Sequence, residues 1–139
     1  MDQTPHEVSI KTRIYLVEDE RLVAQDLREI LESHGYQVIG NATSGTEAIE
    51  EIKQLHPDVV IMDVRIEGEL NGIEVAIIVQ SHFQKPVPVV FLTGFSEQTF
   101  DYLKVIEDYI YINKPFKEHI LIAAVQRALE KVAKRTKDQ

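Results

Sequence analysis

The chain contains no cysteine, and no stretch approaches the roughly 18 continuous apolar residues of a membrane span. Without cysteine there are no disulfide bonds and no thiolate metal sites, so a bound metal would need oxygen or imidazole ligands. Residues 1–12 also lack the positive start and the apolar core of a secretory signal. We therefore expect a cytoplasmic protein that does not associate with membranes.

Basic residues are also scarce. Lysine and arginine number 15 against 23 aspartate and glutamate residues, which gives a net charge of −8. Binding of nucleic acid through its phosphates needs a basic face, so we expect no direct nucleic-acid binding. The acidic excess suits a basic partner or a bound cation instead. With 139 residues and 44% hydrophobic content, the chain fits one compact domain.

Short apolar runs alternate with segments of helical spacing. Strands are predicted at Arg13–Val17, Gln37–Ala42, Asp58–Met62, Val89–Leu92 and Tyr109–Ile112. Helices are predicted at Arg21–His34, from Ser44 onward, at Ile73–Phe83, from Ser96 onward and at Ile120–Val132. The alternation implies an α/β fold, a doubly wound five-stranded parallel sheet with five helices and right-handed crossovers. We expect the flavodoxin-like strand order 2-1-3-4-5.

The ends of the chain differ from its middle in composition. Residues 1–11 are polar, carry Pro5 and show no period, which predicts a flexible lead-in. Residues 12–132 contain all the predicted elements and form the expected domain. Residues 133–139 are basic and are interpreted as a tail or as the start of a linker.

Polar side chains follow the predicted strands where each one ends. Glu18 and Asp19 follow the first strand, Asp63 the third, Thr93 the fourth and Lys114 the fifth. In open parallel sheets the functional crevice lies at these carboxyl ends. If the first and third strands are neighbours, three carboxylates converge and repel, and a hard cation such as Mg²⁺ would relieve the repulsion.

This set of groups suits phosphoryl transfer. A carboxylate can attack phosphorus directly and form an acyl phosphate. The reaction mainly needs in-line positioning and neutralisation of charge, which a metal, the Lys114 ammonium and the Thr93 hydroxyl can provide. The donor could be a phosphohistidine on another protein or a small acyl phosphate.

These strand-end residues, in this order, resemble the CheY-like receiver domain of two-component response regulators over residues 12–132. The resemblance implies that Asp63 is the phosphoacceptor. It also implies that Asp19 binds Mg²⁺ directly, that Glu18 acts through water, and that Arg65 lends its backbone carbonyl to the metal.

The resemblance assigns further roles near the fourth and fifth strands. Thr93 is similar to the switch hydroxyl, Tyr111 to the switch aromatic and Lys114 to the phosphate-contacting lysine. The Lys114-Pro115 bond resembles the cis peptide of the family, a form plausible only because the second residue is proline.

The implied phosphoryl donor is a sensor histidine kinase or a histidine phosphotransfer protein. A homodimer through the face of the fourth helix, the fifth strand and the fifth helix is a further expectation. The protein would not be an enzyme on other substrates, because it catalyses only its own phosphorylation and dephosphorylation.

Four positions depart from the family pattern. Glu18 stands where aspartate is commoner, and the loop Val64–Asn71 is one residue longer, with Gly68 near the usual proline. Gly94 replaces an alanine, and Val105-Ile106-Glu107-Asp108 replaces a Gly-Ala pair before the fifth strand.

Simpler interpretations remain open for single residues. Asp63 alone could cap a turn, and Thr93 could cap the helix that begins near Ser96. The segment Glu18–Glu20 could be a solvated helix start, which is the reason to leave Glu20 out of the site. Tyr111 could serve the core alone.

The alternative function is a small metal-dependent phosphohydrolase or a flavin-binding protein on the same fold. Acidic residues after the first strand would repel a flavin phosphate. A phosphohydrolase would usually carry a second acid two residues after the nucleophile, where this chain has Arg65.

Overall fold

The structure is a computed structural model that describes residues 11–94 and 110–137. Its strands are β1 (Arg13–Val17), β2 (Gln37–Ala42), β3 (Val59–Asp63), β4 (Val89–Thr93) and β5 (Ile110–Asn113). Its helices are α1 (Arg21–Ser33), α2 (Gly45–Leu55), α3 (Gly72–His82) and α4 (Glu118–Lys137).

The five strands form one parallel sheet in the order β2-β1-β3-β4-β5, which confirms the predicted topology. The described residues contain four helices rather than the five predicted. The predicted helix that begins near Ser96 falls outside the described residues. Asp63 and Thr93 are the last residues of β3 and β4, whereas the sequence predicted them just beyond the strands.

The sheet separates two apolar cores. Ile14 and Leu16 of β1 point to the core under α1 and α4, while Tyr15 and Val17 point to the core under α2 and α3. Successive side chains of a strand face opposite sides, so a strand covered on both sides reads as a continuous apolar run. This explains why the central strands lack polar alternation.

Side-chain caps begin two of the helices. The backbone N–H of Glu47 donates to Ser44 Oγ over 3.4 Å, and the Glu47 carboxylate accepts from the N–H of Thr43. A full capping box that the sequence analysis missed, Asn71 with Glu74, starts α3. This cap fixes where the helix begins after the loop that follows Asp63.

The last helix continues to Lys137, past the predicted domain end at residue 132. The domain boundaries themselves stay a prediction. Within residues 11–94 and 110–137, we find no helix with both the length and the apolar character needed to cross a membrane.

Candidate functional site

The strand register brings charged residues together at the carboxyl edge of the sheet. Val17 lies opposite Met62 where β1 pairs with β3, so the residues that follow, Glu18 and Asp63, are neighbours. The N–H of Glu18 donates to the carbonyl of Ala42 over 2.9 Å, and this bond holds the chain in place as it leaves β1. Lys114 follows β5 and reaches back across β4.

The Lys114 ammonium links the acidic residues at this edge of the sheet. Its Nζ lies 2.6 Å from Asp63 Oδ2 and 2.8 Å from Glu18 Oε1, and 3.6 Å from Glu20 Oε1. Burial disfavours the charge on Lys114, but the hydrogen bonds to Asp63 and Glu18 outweigh it and hold the lysine pKa above its ordinary value. The lysine is therefore charged throughout the physiological range.

Asp63 is almost fully buried, at 5% exposure. Its Oδ1 accepts a hydrogen bond of 2.9 Å from the backbone N–H of Arg65, while Oδ2 faces Lys114. A Cβ added to Gly72 would overlap the carbonyl oxygen of Asp63, so only glycine allows α3 to start this close. The carboxylate is thus fixed by contacts to both oxygens and by close packing of its backbone.

Glu18 is the most deeply buried acid of the site, at 1% exposure. Burial raises the pKa of its carboxyl to about 7, and the nearby Asp63 charge adds to this. The Lys114 contact and the N–H of Glu20, which donates to Glu18 Oε2 over 3.1 Å, act in the opposite direction. A carboxylate kept here despite burial needs a compensating positive charge.

Four acids could share a metal ion. Glu18, Asp19, Glu20 and Asp63 each offer one carboxylate oxygen, and these oxygens all lie within 4.8 Å of one another. Oxygen donors at this spacing fit a hard divalent cation, which prefers carboxylates and waters. The sequence analysis left Glu20 out. The signal that could have included it is its place directly after the acidic pair.

The switch residues lie on β4 and β5. The Thr93 side chain is buried, and its hydroxyl donates to the carbonyl of Gly94 over 2.7 Å rather than to Asp63. Tyr111 is half-buried and packs against the core under α2 and α3. The Lys114-Pro115 bond is cis, as the resemblance implied.

Comparison with known proteins assigns the family. The family model "Response regulator receiver domain" matches residues 14–126. The chain belongs to this family. Receiver domains are phosphorylatable signalling modules of two-component systems rather than enzymes in the usual sense, and nothing in the comparisons favours the phosphohydrolase or flavin alternative.

Named relatives support the same assignment. This receiver domain is 36% identical over 132 residues to the transcriptional regulatory protein PdtaR of Mycobacterium tuberculosis, which covers 92% of this chain and 62% of that protein. It is 33% identical over 127 residues to the DNA-binding response regulator MtrA of Mycobacterium bovis, which covers 88% of this chain and 53% of that protein.

A solved structure agrees in fold. The signal receiver domain of a modulated diguanylate cyclase from Desulfovibrio desulfuricans matches with a TM-score of 0.83 and 31% identity, covering 91% of this chain and 99% of that one. The receiver domain described here spans about half to two thirds of the length of the two curated relatives. Because those relatives are named for transcriptional regulation and DNA binding, the expectation of no nucleic-acid binding is not supported.

Proposed function

We propose that this receiver domain accepts a phosphoryl group on Asp63 from a sensor histidine kinase or a histidine phosphotransfer protein, in a Mg²⁺-dependent reaction, and then changes its partner-binding surface. The observation that carries the proposal is the setting of the Asp63 carboxylate. One oxygen accepts from the N–H of Arg65, and the other lies 2.6 Å from Lys114 Nζ.

The transfer needs few groups. An Asp63 oxygen forms a bond to phosphorus while the bond from phosphorus to the donor histidine nitrogen breaks, and the electron pair of that bond stays on the imidazole. Lys114 can move from the carboxylate to a phosphoryl oxygen without leaving the site, because its ammonium already touches Asp63. The Arg65 N–H is placed to hold the other oxygen during attack.

The residues that would hold Mg²⁺ are Asp63 and Asp19 directly, Glu18 through water, and Arg65 through its backbone carbonyl. The convergence of four carboxylates on one point supports this set. The cation would supply charge neutralisation for the phosphoryl oxygens. Glu18, buried and turned toward Lys114, sets the negative field that attracts a cation.

Thr93 and Tyr111 are the proposed switch. In the described state the Thr93 hydroxyl donates to Gly94, and a phosphoryl group on Asp63 would offer it a charged acceptor instead. Movement of Thr93 would open space on the same side of the sheet for Tyr111. The output is a shift of population between two surfaces.

Self-association belongs to the same proposal. The face would comprise β5 and α4 together with the predicted fourth helix, which falls outside the described residues. Ile120 of α4 is 43% exposed. A cytoplasmic location is also part of the proposal. Apart from its own phosphorylation and dephosphorylation, we propose no enzymatic activity.

Treatment with acetyl phosphate and Mg²⁺ tests the proposal. Intact-mass measurement should show the addition of one phosphoryl group to the wild-type protein and none to Asp63→Asn. The matched control is Asp58→Asn, which changes an exposed carboxylate just before β3, at the opposite edge of the sheet, and should keep the addition. No added mass in the wild type with either acetyl phosphate or a phosphohistidine donor, or an equal addition in Asp63→Asn, would contradict the proposal.

A further inference from the structure

Glu20 occupies a helix-capping position but does not act as a cap. It precedes α1 with extended backbone angles (φ −88°, ψ 112°), yet its side chain makes no capping hydrogen bond. Glutamate is not among the favoured capping residues, which are serine, threonine, aspartate and asparagine. The Glu20 side chain is therefore not tied to the start of α1.

The Glu20 carboxylate lies instead at the acidic cluster. Its Oε1 is 3.6 Å from Lys114 Nζ, and one of its oxygens lies within 4.8 Å of oxygens of Glu18, Asp19 and Asp63. The Glu20 backbone faces the same way, because its N–H donates to Glu18 Oε2 over 3.1 Å. Both parts of the residue thus contact the site.

Lys114 alone does not balance the acids around it. The ammonium already has closer partners in Asp63 and Glu18, at 2.6 and 2.8 Å. Among the described residues, three carboxylates contact this one ammonium and Asp19 lies beside them, so the acids of the cluster outnumber its cation. Bringing a further carboxylate to such a cluster is unfavourable unless a cation joins it.

Exposure distinguishes Glu20 from the other acids. Its side chain is 65% exposed, against 7% for Asp63 and 0% for Glu18. It lies at the mouth of the site, where it remains solvated and can adjust its position at little desolvation cost. Mg²⁺ keeps several of its waters in proteins, and a solvated carboxylate at the mouth can accept hydrogen bonds from those waters.

We propose that Glu20 is an additional cation-facing carboxylate of this site, which holds the divalent cation through its water shell. The inference rests on the proposed function, because it takes the Asp63 site to be a Mg²⁺ site. The resemblance to the family did not assign Glu20 to this site. The expected effect is that Glu20 strengthens cation binding before any phosphoryl group arrives.

Cation affinity of the unphosphorylated protein tests the inference. Calorimetric titration with Mg²⁺ and spin-resonance titration with Mn²⁺ are compared for wild type, Glu20→Gln and Glu50→Gln. Glu50 is exposed on α2, so its replacement makes the same change in net charge away from the cluster. We expect Glu20→Gln to raise the dissociation constant about three- to tenfold and Glu50→Gln to raise it less than about twofold. Equal effects of the two changes would overturn the inference.

A second variant separates the role at the site from a role in the helix. Serine is a good cap, so Glu20→Ser should raise the melting temperature while it weakens cation binding as much as Glu20→Gln does. A folded Glu20→Ser protein with wild-type affinity would overturn the inference.

Failure of the inference and failure of the proposed function give different results. A wild-type protein that binds Mg²⁺ through Glu20 but gains no phosphoryl group on Asp63 contradicts only the proposed function. A protein that is phosphorylated but binds cation equally well without the Glu20 charge contradicts only the role of Glu20. A wild-type protein that binds neither cation overturns the inference.

Discussion

The two ends of β1 and β3 carry opposite arrangements of charge. At the amino end, the backbone N–H of Arg13 donates to Asp58 Oδ2 over 2.8 Å, and Arg13 Nη1 donates to the carbonyl of His56 over 3.0 Å. One cation and one anion balance there at the surface. At the carboxyl end, four carboxylates lie close together, three of them contact the Lys114 ammonium, and two are buried.

This difference separates a stabilising contact from a functional one. At the amino end the charges of Arg13 and Asp58 offset each other, and their exposed contacts add little to stability. At the carboxyl end, which we call the unbalanced end, like charges lie close together and partly buried. This arrangement lowers stability until a cation or a proton binds. Functional sites often contain such arrangements, which are unfavourable for folding by themselves.

The largest expected effect comes from removing the lysine. Lys114→Met leaves Asp63 and Glu18 buried without their cation, so it should lower the free energy of unfolding by about 3 kcal/mol at neutral pH. Arg13→Met, at the amino end, should cost about 1 kcal/mol or less. Urea denaturation measures both values. Similar losses at the two ends would show that the charge imbalance carries no special cost.

A second expected effect depends on pH. The Glu18 pKa is raised from 4.5 to about 7, so within this range the folded protein keeps a proton that the unfolded chain has released. Stability should therefore fall as pH rises through this window, by about 1–3 kcal/mol. Glu18→Gln should remove this part of the slope and be the more stable protein near pH 8. Denaturation at several pH values without divalent cation measures the difference, and parallel slopes would contradict the assignment to Glu18.

Divalent cation should stabilise the unbalanced end alone. Binding to the folded state at 100 times the dissociation constant adds about 2.7 kcal/mol to the free energy of unfolding. Thermal unfolding with Mg²⁺, with chelator, and with sodium at matched ionic strength measures this. Asp63→Asn should lose most of the gain and Asp58→Asn none of it. A gain that sodium reproduces would indicate general screening rather than a site.

The smallest effect is expected at the amino end. Asp58→Ala removes an exposed acceptor from the Arg13 N–H, so it should cost about 0.5–1 kcal/mol. Cation affinity and phosphorylation should stay at wild-type values, because the change lies at the opposite edge of the sheet. Combined denaturation and cation titration checks both parts, and a loss of cation affinity here would break the contrast between the two ends.

Much of the fold could be read from the sequence because its signals are local. Runs such as Val59-Val60-Ile61-Met62 predict buried strands, and the first polar residue after each run marks the edge of the sheet. The order 2-1-3-4-5 and the cis bond at Lys114-Pro115 were predicted and are present. The functional roles of Asp63, Thr93, Tyr111 and Arg65 stay predictions, and the Asp63→Asn variant tests the first of them.

Other features needed the folded chain, since they depend on residues that are distant in sequence. The sequence alone determined that acids, a hydroxyl and a lysine stand at strand ends. Only the tertiary structure decided that the Glu20 carboxylate lies at the site and that Thr93 donates to Gly94. The physical reason is that strand periodicity fixes where a residue lies along the sheet. The direction of its side chain follows from the charges and packing that other strands bring beside it.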